Sequence, residues 1–299
     1  MSDKINVITT CWNNGGGNIT PEDNLNQAVK KLDAFSKMDP DLICLPEAFC
    51  ETGVRDRPAS INMTQNILNT LSRKADDLNS YIIAGGYEYN NSRLFNAAWL
   101  IDRQGKIIGR YYKKHPTINE IEKYGITPGE EIPVFETDFG TLGITICYDI
   151  GWPYLWKNLK EQGAELVVWI SAYDGGFPLQ TYAWNNLYYI VSSSRGHHSK
   201  VIDKTGKILS SSSRWMGWAS EKINLNKEVF HIDYQYEKIK QIQKELGNRV
   251  TVESFSEENI FTLESNSEDW PVDKIIQKFK LETFTDYHKR AEKVQNDNK

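Results

Sequence analysis

Residues Gly140-Thr-Leu-Gly-Ile-Thr-Ile-Cys147-Tyr-Asp-Ile-Gly-Trp-Pro153 hold a short apolar run, Leu142 to Ile146, set between glycines and ended by a Gly-Trp-Pro break. β-Branched residues and leucine between such breakers predict a buried strand that stops near Cys147. Pro153 suits the first turn of a helix, where its missing N–H would be unpaired in any case. Cys147 is therefore expected at a strand-to-helix corner, on a rigid element at a sheet edge. That corner suits a nucleophile. Free cysteines also serve as small core residues, and this stretch alone leaves both readings open.

Outward from it the pattern alternates. Upstream, Ile5 to Thr10 predicts a strand that runs into Asn-Asn-Gly-Gly-Gly at 13–17. Thr20-Pro21-Glu22-Asp23 then signals a helix with Leu25, Val29, Leu32 and Phe35 among its apolar positions. Asp41 to Leu45 is a strand stopped by Pro46, Met63 to Leu78 a second helix, and Tyr81-Ile-Ile-Ala-Gly-Gly a third strand. Leu94 to Ile101 and Ile107 to Tyr112 flank Asp102-Arg-Gln-Gly-Lys106, a hairpin turn. Downstream come a helix near Pro153 to Gln162, a strand at Leu166 to Ser171, a helix near Leu179 to Asn186 and a strand at Tyr188 to Ser193. Val201-Ile-Asp203-Lys-Thr-Gly206-Lys-Ile-Leu209 then repeats the strand, Asp-x-x-Gly-Lys, strand pattern. Two such hairpins, each after a β/α stretch, predict an α/β domain of two similar halves over residues 1–265, with sheets between helical layers. Residues 266–299 read as a helical extension. There Val272, Ile275, Ile276 and Phe279 make one apolar face, and Phe284 to Val294 a weaker, more charged helix. Such a face needs cover, from a partner subunit or from its own domain.

With 299 residues, 39% of them hydrophobic, the chain has ample material for a core. Its net charge of −5 is spread along the sequence, with no basic stripe for nucleic acid and no membrane-surface patch. No apolar run approaches the roughly 20 residues that span a bilayer. Met1-Ser-Asp-Lys lacks the apolar core of a signal peptide, so the cytoplasm is the expected compartment. The four cysteines, at 11, 44, 50 and 147, have neither the spacing of a zinc site nor that of a disulfide framework, so reduced thiols and no metal are expected.

A cysteine nucleophile needs a base for its proton and donors for the oxyanion it creates. Three strand ends offer such groups: Glu47, fixed by Pro46; Lys113 or Lys114, after Tyr112; and Cys147 itself. Taken singly, each charge could equally be a solvated loop residue. Together, Leu45-Pro46-Glu47, Tyr111-Tyr112-Lys113-Lys114-His115-Pro116-Thr117 and Gly143-Ile-Thr-Ile-Cys147-Tyr-Asp resemble the nitrilase superfamily of carbon-nitrogen hydrolases, over nearly the whole chain.

The resemblance implies a four-layer α-β-β-α sandwich, a homodimer aided by C-terminal segments, and no metal or organic cofactor. It implies that Glu47 is the general base, that Lys113 lowers the thiol's pKa and holds the oxyanion with the backbone N–H of Tyr148, and that Cys147 is the nucleophile. Pro116-Thr-Ile-Asn-Glu120, with Tyr124-Gly125 and Gly129 beyond, resembles the loop carrying a second glutamate, which points to Glu120 rather than Glu122. The substrate it implies is a small amide, an N-carbamoyl compound or a nitrile. The chain departs from common patterns at Tyr154, where an acidic residue often follows the proline, and at Gly53-Val54, where Gly-Tyr is frequent. Cys147-Tyr-Asp leans toward amidases and carbamoylases, whereas Lys113 to Thr117 leans toward nitrilases. Trp169 and Tyr173, at the end of the next strand, are expected to meet substrate, with Trp152 and Trp184 as further aromatic candidates. Arg195, ahead of His197 and His198, offers a cation to a carboxylate-bearing substrate. Cys50, three residues past Glu47, is a candidate second thiol. A non-catalytic scaffold on the same fold is the competing reading, which an intact Glu, Lys and Cys set argues against.

Overall fold

The computed structural model describes residues 4–12, 19–54 and 58–299; the expected loop at 13–17 and the N-terminal Met1-Ser-Asp lie outside the described residues. The chain forms two compact units, one of Ile5–Ile223 and one that includes Asn224–Lys299.

In the first unit, β1 (Lys4–Thr10), α1 (Pro21–Ala34), β2 (Leu42–Cys44), α2 (Thr64–Leu78) and β3 (Tyr81–Asn90) alternate, and β4 (Arg93–Ile101) and β5 (Ile107–Tyr112) close the half as a hairpin. Helix α1 starts where the sequence signals it. Thr20 accepts from the Asp23 N–H, and Asp23 reciprocates on the Thr20 N–H. After α3 (Ile118–Tyr124) and β6 (Val134–Glu136), the second half repeats the plan with β7 (Thr141–Ile146), α4 (Pro153–Glu161), β8 (Leu166–Ser171), α5 (Phe177–Asn186), β9 (Tyr189–Ser194), β10 (Lys200–Ile202) and β11 (Ile208–Ser211). Strand β12 (Trp218–Asn224) returns to the first sheet.

The two six-stranded sheets run β12-β1-β2-β3-β4-β5 and β6-β7-β8-β9-β10-β11. Strands β1, β2 and β3 pair in parallel, as do β7, β8 and β9; β3, β4 and β5 pair antiparallel, as do β9, β10 and β11. Each hairpin turns on its aspartate: the Gly105 N–H reaches the Asp102 carbonyl and the Gly206 N–H the Asp203 carbonyl, with φ of 73° and 79° at the two glycines. One sheet buries Ile43, Ile82 and Trp99 under α1 and α2, through Leu25, Leu32 and Leu71. The other buries Val167 and Trp169 under α4 and α5, through Trp156, Leu159 and Leu179. The inner faces meet through hydroxyls as well as apolar groups: Thr9 Oγ1 donates to the Ser192 carbonyl, and Ser193 Oγ to those of Thr10 and Cys44. This is the expected α-β-β-α sandwich.

In the second unit, β13 (Lys227–His231), α6 (Tyr236–Leu246), β14 (Val250–Phe255), β15 (Ile260–Ser265), α7 (Val272–Phe279) and α8 (Phe284–Asp297) follow in order. The strands form an antiparallel sheet β13-β15-β14. The apolar face of α7, through Val272, Ile275 and Phe279, is buried with Phe230, Phe261 and Ile242 of the same unit. Of the two covers considered for that face, its own unit supplies one, and α8 has no buried residue.

Candidate active site

Strand β7 delivers Cys147 into a left-handed backbone conformation, φ 48°, at the start of a 3-10 turn, Cys147–Gly151. A non-glycine residue takes that conformation at a cost and keeps it only where its surroundings over-determine it. Asp149 is the main determinant. Wholly buried, it accepts from the Ile146 N–H (3.0 Å), the Tyr111 hydroxyl (2.7 Å) and the His115 N–H (2.9 Å), and its Oδ1 lies 2.9 Å from His115 Nδ1. The His115 ring stacks on Trp152 at 3.9 Å and its Nε2 meets the Tyr154 hydroxyl at 2.9 Å. Tyr154, where the chain departs from the common pattern, thus belongs to the brace behind the cysteine turn.

Facing this turn is a buried charge cluster. Pro46 ends the run of β2 so that Glu47 follows at once, and Lys113 follows the last residue of β5. Glu120 is the third residue of α3, where Thr117 caps the helix and accepts from its N–H, so the loop acid is tied down by its own backbone. Lys113 Nζ donates to Glu47 Oε1 at 2.9 Å and to Glu120 Oε2 at 2.8 Å. Asn96, on β4, gives one Nδ2 to both carboxylates, 2.8 Å each. Lys113 is 1% exposed and Glu47 3%.

Burial pushes the Glu47 carboxyl up, but the Lys113 ammonium, the Arg195 guanidinium and the bonds from Lys113 and Asn96 outweigh it and hold the carboxyl below its ordinary value. Burial pulls Lys113 down, and Glu47, Cys147 and Glu120 together keep it well above the usual lysine range. Both are therefore charged. The Glu47 Oε2 atom is buried and has no hydrogen-bond partner among the described residues, so one oxygen of the carboxylate is open to a proton.

Glu47, Lys113, Glu120 and Cys147 line one cavity of about 200 Å³. Tyr87, Thr117, Asn119, Tyr124 and Ala172 complete its wall, with Arg195 at one side. The thiol differs from expectation. Burial and the Glu47 charge push Cys147 up to about 12, more than Lys113 and donors at Ala172 and Ser171 offset. The resting pair is thus a thiol and a carboxylate.

Of the residues expected to meet substrate, Trp169 is fully buried under the helices, with its indole N–H on the Cys147 carbonyl at 3.0 Å. Tyr148 and Tyr173 are each 44% exposed and, like Trp169, stand outside the cavity lining. Cys50 packs in the core beneath α1 and α2, and does not line the cavity. Asn96, His115 and Asp149 were not singled out from sequence. An asparagine inside the apolar run of β4 and an acid two residues past the cysteine were the available signals. A second recess of about 240 Å³ lies around Arg93 and Arg110, whose charges are paired with Glu130 and Glu88; chemistry, not size, picks out the cavity at Cys147.

The four-layer sandwich brings a thiol into one cavity with a Glu-Lys-Glu charge cluster. A sequence model described as carbon-nitrogen hydrolase matches residues 13–227, and the chain belongs to that family. It is 29% identical over 237 residues to a deaminated glutathione amidase of Synechocystis, covering 68% of this chain and 86% of that protein. Over 209 residues it is 28% identical to a nitrilase of Pyrococcus abyssi, covering 66% and 78%. Among solved structures, Nit3 of Saccharomyces cerevisiae, a member of branch 10 of the nitrilase superfamily, superposes with a TM-score of 0.63 at 20% identity, over 82% of this chain and 95% of that one. An amidase from Nesterenkonia does so with 0.65 at 19%, over 79% and 95%. Family membership carries hydrolysis of a carbon-nitrogen bond as the activity. No helix among the described residues is long and apolar enough to cross a membrane.

Proposed function

We propose that the chain hydrolyses an amide or N-carbamoyl group of a small molecule through a thioester on Cys147. The observation that carries this is the single cavity in which the Cys147 thiol, the Glu47 carboxylate with one unbonded oxygen and the Lys113 ammonium are gathered. As the Cys147 sulfur attacks the amide carbon, its proton passes to Glu47. The carbonyl electrons move onto oxygen, where Lys113 and the Tyr148 N–H are the donors the resemblance names. Glu47 gives the proton to the leaving nitrogen, the carbon-nitrogen bond breaks, and ammonia or an amine departs. Water then attacks the thioester, losing a proton to Glu47, and that proton returns to sulfur as the acid is released. With the thiol near 12 and Glu47 depressed, proton transfer is uphill at rest and is driven by bond formation to carbon. Glu120 contributes by holding Lys113 in place.

The test is an ammonia-release screen over short amides, N-carbamoyl amino acids and nitriles, with Cys147→Ala and Glu47→Gln beside the wild type. Release from amides or carbamoyl compounds that both substitutions abolish is the expected result. Release confined to nitriles moves the substrate class, and release that survives Cys147→Ala overturns the mechanism.

A further inference from the structure

We propose that Arg195 is the anchor for a carboxylate on the substrate, so that the compound cleaved is a short acid bearing an amide at its far end. The inference rests on the reading of this cavity as the site of amide hydrolysis and adds what the other end of the substrate must carry.

Arg195 lines the cavity that holds Cys147. Among the described residues its guanidinium has no ion pair and no hydrogen bond, and its Nε is buried without an acceptor. Folded proteins leave few buried donors in that state, because a buried group that has lost water and gained no partner is costly. The other cation of the cavity is fully engaged: Lys113 is held by Glu47 and Glu120. A guanidinium presents five N–H donors in a planar fork that fits a carboxylate through two parallel bonds. Were Arg195 there only to balance the two carboxylates, contact with one of them would be expected. It acts on Glu47 through space and touches neither.

The position of Arg195 is also built. Its backbone N–H donates to the Ser171 carbonyl at 2.9 Å, tying the end of β9 to the end of β8. The turn after it is gathered on the Asp174 carboxylate, which accepts from Ser194 Oγ (2.6 Å), the His198 N–H (3.2 Å) and the His197 N–H (3.4 Å). Burial raises the Asp174 carboxyl, but these donors hold it below its ordinary value, so it stays an acceptor. Gly196 completes the clamp: a Cβ there would lie 2.0 Å from Asp174 Oδ1, so any side chain would push the turn off its carboxylate. The chain spends a half-buried acid and a glycine on presenting one arginine that is unpaired among the described residues. His197 and His198 enter through their backbone amides on Asp174.

The test compares the monoamides of succinic, glutaric and adipic acid with butyramide, valeramide and hexanamide, which replace the carboxylate by a methyl group. In the wild type, kcat/KM for the best monoamide should exceed that of its methyl-ended counterpart by about 10- to 100-fold, the range for hydrogen bonds to a charged group, chiefly through KM. Arg195→Met should bring that ratio to within about threefold of one, and Arg195→Lys should restore part of it. A wild-type ratio near one overturns the proposal, and that comparison needs no variant. So does an Arg195→Met protein, shown folded by its melting curve, that loses both substrate classes by the same factor, since the guanidinium then serves Glu47 alone. If no amide is turned over, the hydrolysis reading has failed, and calorimetry with glutarate decides the anchor separately. Binding that Arg195→Met abolishes upholds it, and binding that is absent or unchanged removes it.

Discussion

The two halves of the sandwich share one plan of strands, helices and hairpins, yet they bring opposite chemistry to the cavity. The first half supplies groups bonded to one another: Lys113 and Asn96 both donate to Glu47 and to Glu120 of α3, with Glu47 Oε2 left open. The second supplies groups that stand outside that ion set on fixed backbone: a thiol on a left-handed turn, bonded to Ser171 and the Ala172 backbone, and an arginine whose Nε has no acceptor among the described residues. A buried ion set with its charges satisfied can be made part of the core, whereas a reactive group must have its backbone fixed and its side chain free. The braces in the second half include main chain among their partners, with Asp149 on the Ile146 N–H and Asp174 on those of His197 and His198, beside side-chain bonds to Tyr111 and Ser194.

The contrast is broken most directly by removing one group from each half. Cys147→Ala should lower turnover by at least about 10⁴-fold, as loss of a nucleophile does, while changing unfolding free energy by no more than about 1 kcal/mol. Lys113→Met should abolish turnover too, but also cost about 3–5 kcal/mol in chemical denaturation, because it leaves the buried Glu47 and the partly buried Glu120 without their cation. Equal stability losses in the two variants would end the distinction. Asp149→Ala probes the backbone brace. It should cost at least about 2 kcal/mol, from buried donors left unpaired, and reduce turnover on the order of 100-fold as the cysteine turn shifts.

The sequence made the repeat legible because its signals are local. Apolar runs end at Pro46 and at Gly151-Trp-Pro153, Thr20 and Asp23 cap α1, and Asp-x-x-Gly-Lys occurs twice. Glu47, Lys113 and Cys147, which line one cavity, stand out in the sequence because each follows closely on the end of an apolar strand. What escaped reading depends on which face a side chain takes or on what it meets. Trp169 stands among apolar neighbours, and its parity with Val167 turns it under α4 and α5, outside the cavity lining. Asn96 is one polar residue in an apolar strand, and only the fold brings Glu47 and Glu120 to it. The unpaired state of Arg195 is a property of the whole cavity wall. The raised thiol likewise follows from burial and from the Glu47 charge, which no motif reports.

Protonation sharpens the comparison further. Glu47 is depressed in the folded protein, so its contribution to stability is present above the unfolded value, about 4.3, and is lost as pH falls through the lower folded value. Lys113 is raised, so its contribution is complete below about 10.4 and is lost only as pH rises through the higher folded value. From this cluster, stability should be flat between about pH 5 and 10, and the acid limb of kcat/KM should fall below the ordinary glutamate range. Cys147, pushed up to about 12, should give no thiolate absorbance step near neutrality when wild type and Cys147→Ala are titrated side by side at 240 nm. A step between about pH 6 and 8, where an activated thiol titrates, would put an ion pair at rest where we place a thiol and a carboxylate.

The smallest expected effect lies in the repeated hairpins, far from the chemistry. Asp102 Oδ1 accepts from the N–H groups of Gln104 (3.0 Å) and Lys106 (2.8 Å) at a solvent-facing turn. Asp203 Oδ1 accepts from the N–H and hydroxyl of Thr205, but the aspartate is 1% exposed. Water can replace the acceptor lost in Asp102→Ala, which should cost about 0.5–1 kcal/mol, and cannot as readily in Asp203→Ala, which should cost about 1–3 kcal/mol. Urea denaturation of the two variants measures the difference. A larger loss at Asp203 would show that the second half relies on a buried acid beyond its cavity, as it does at Asp149; equal losses would confine that reliance to the backbone around Cys147.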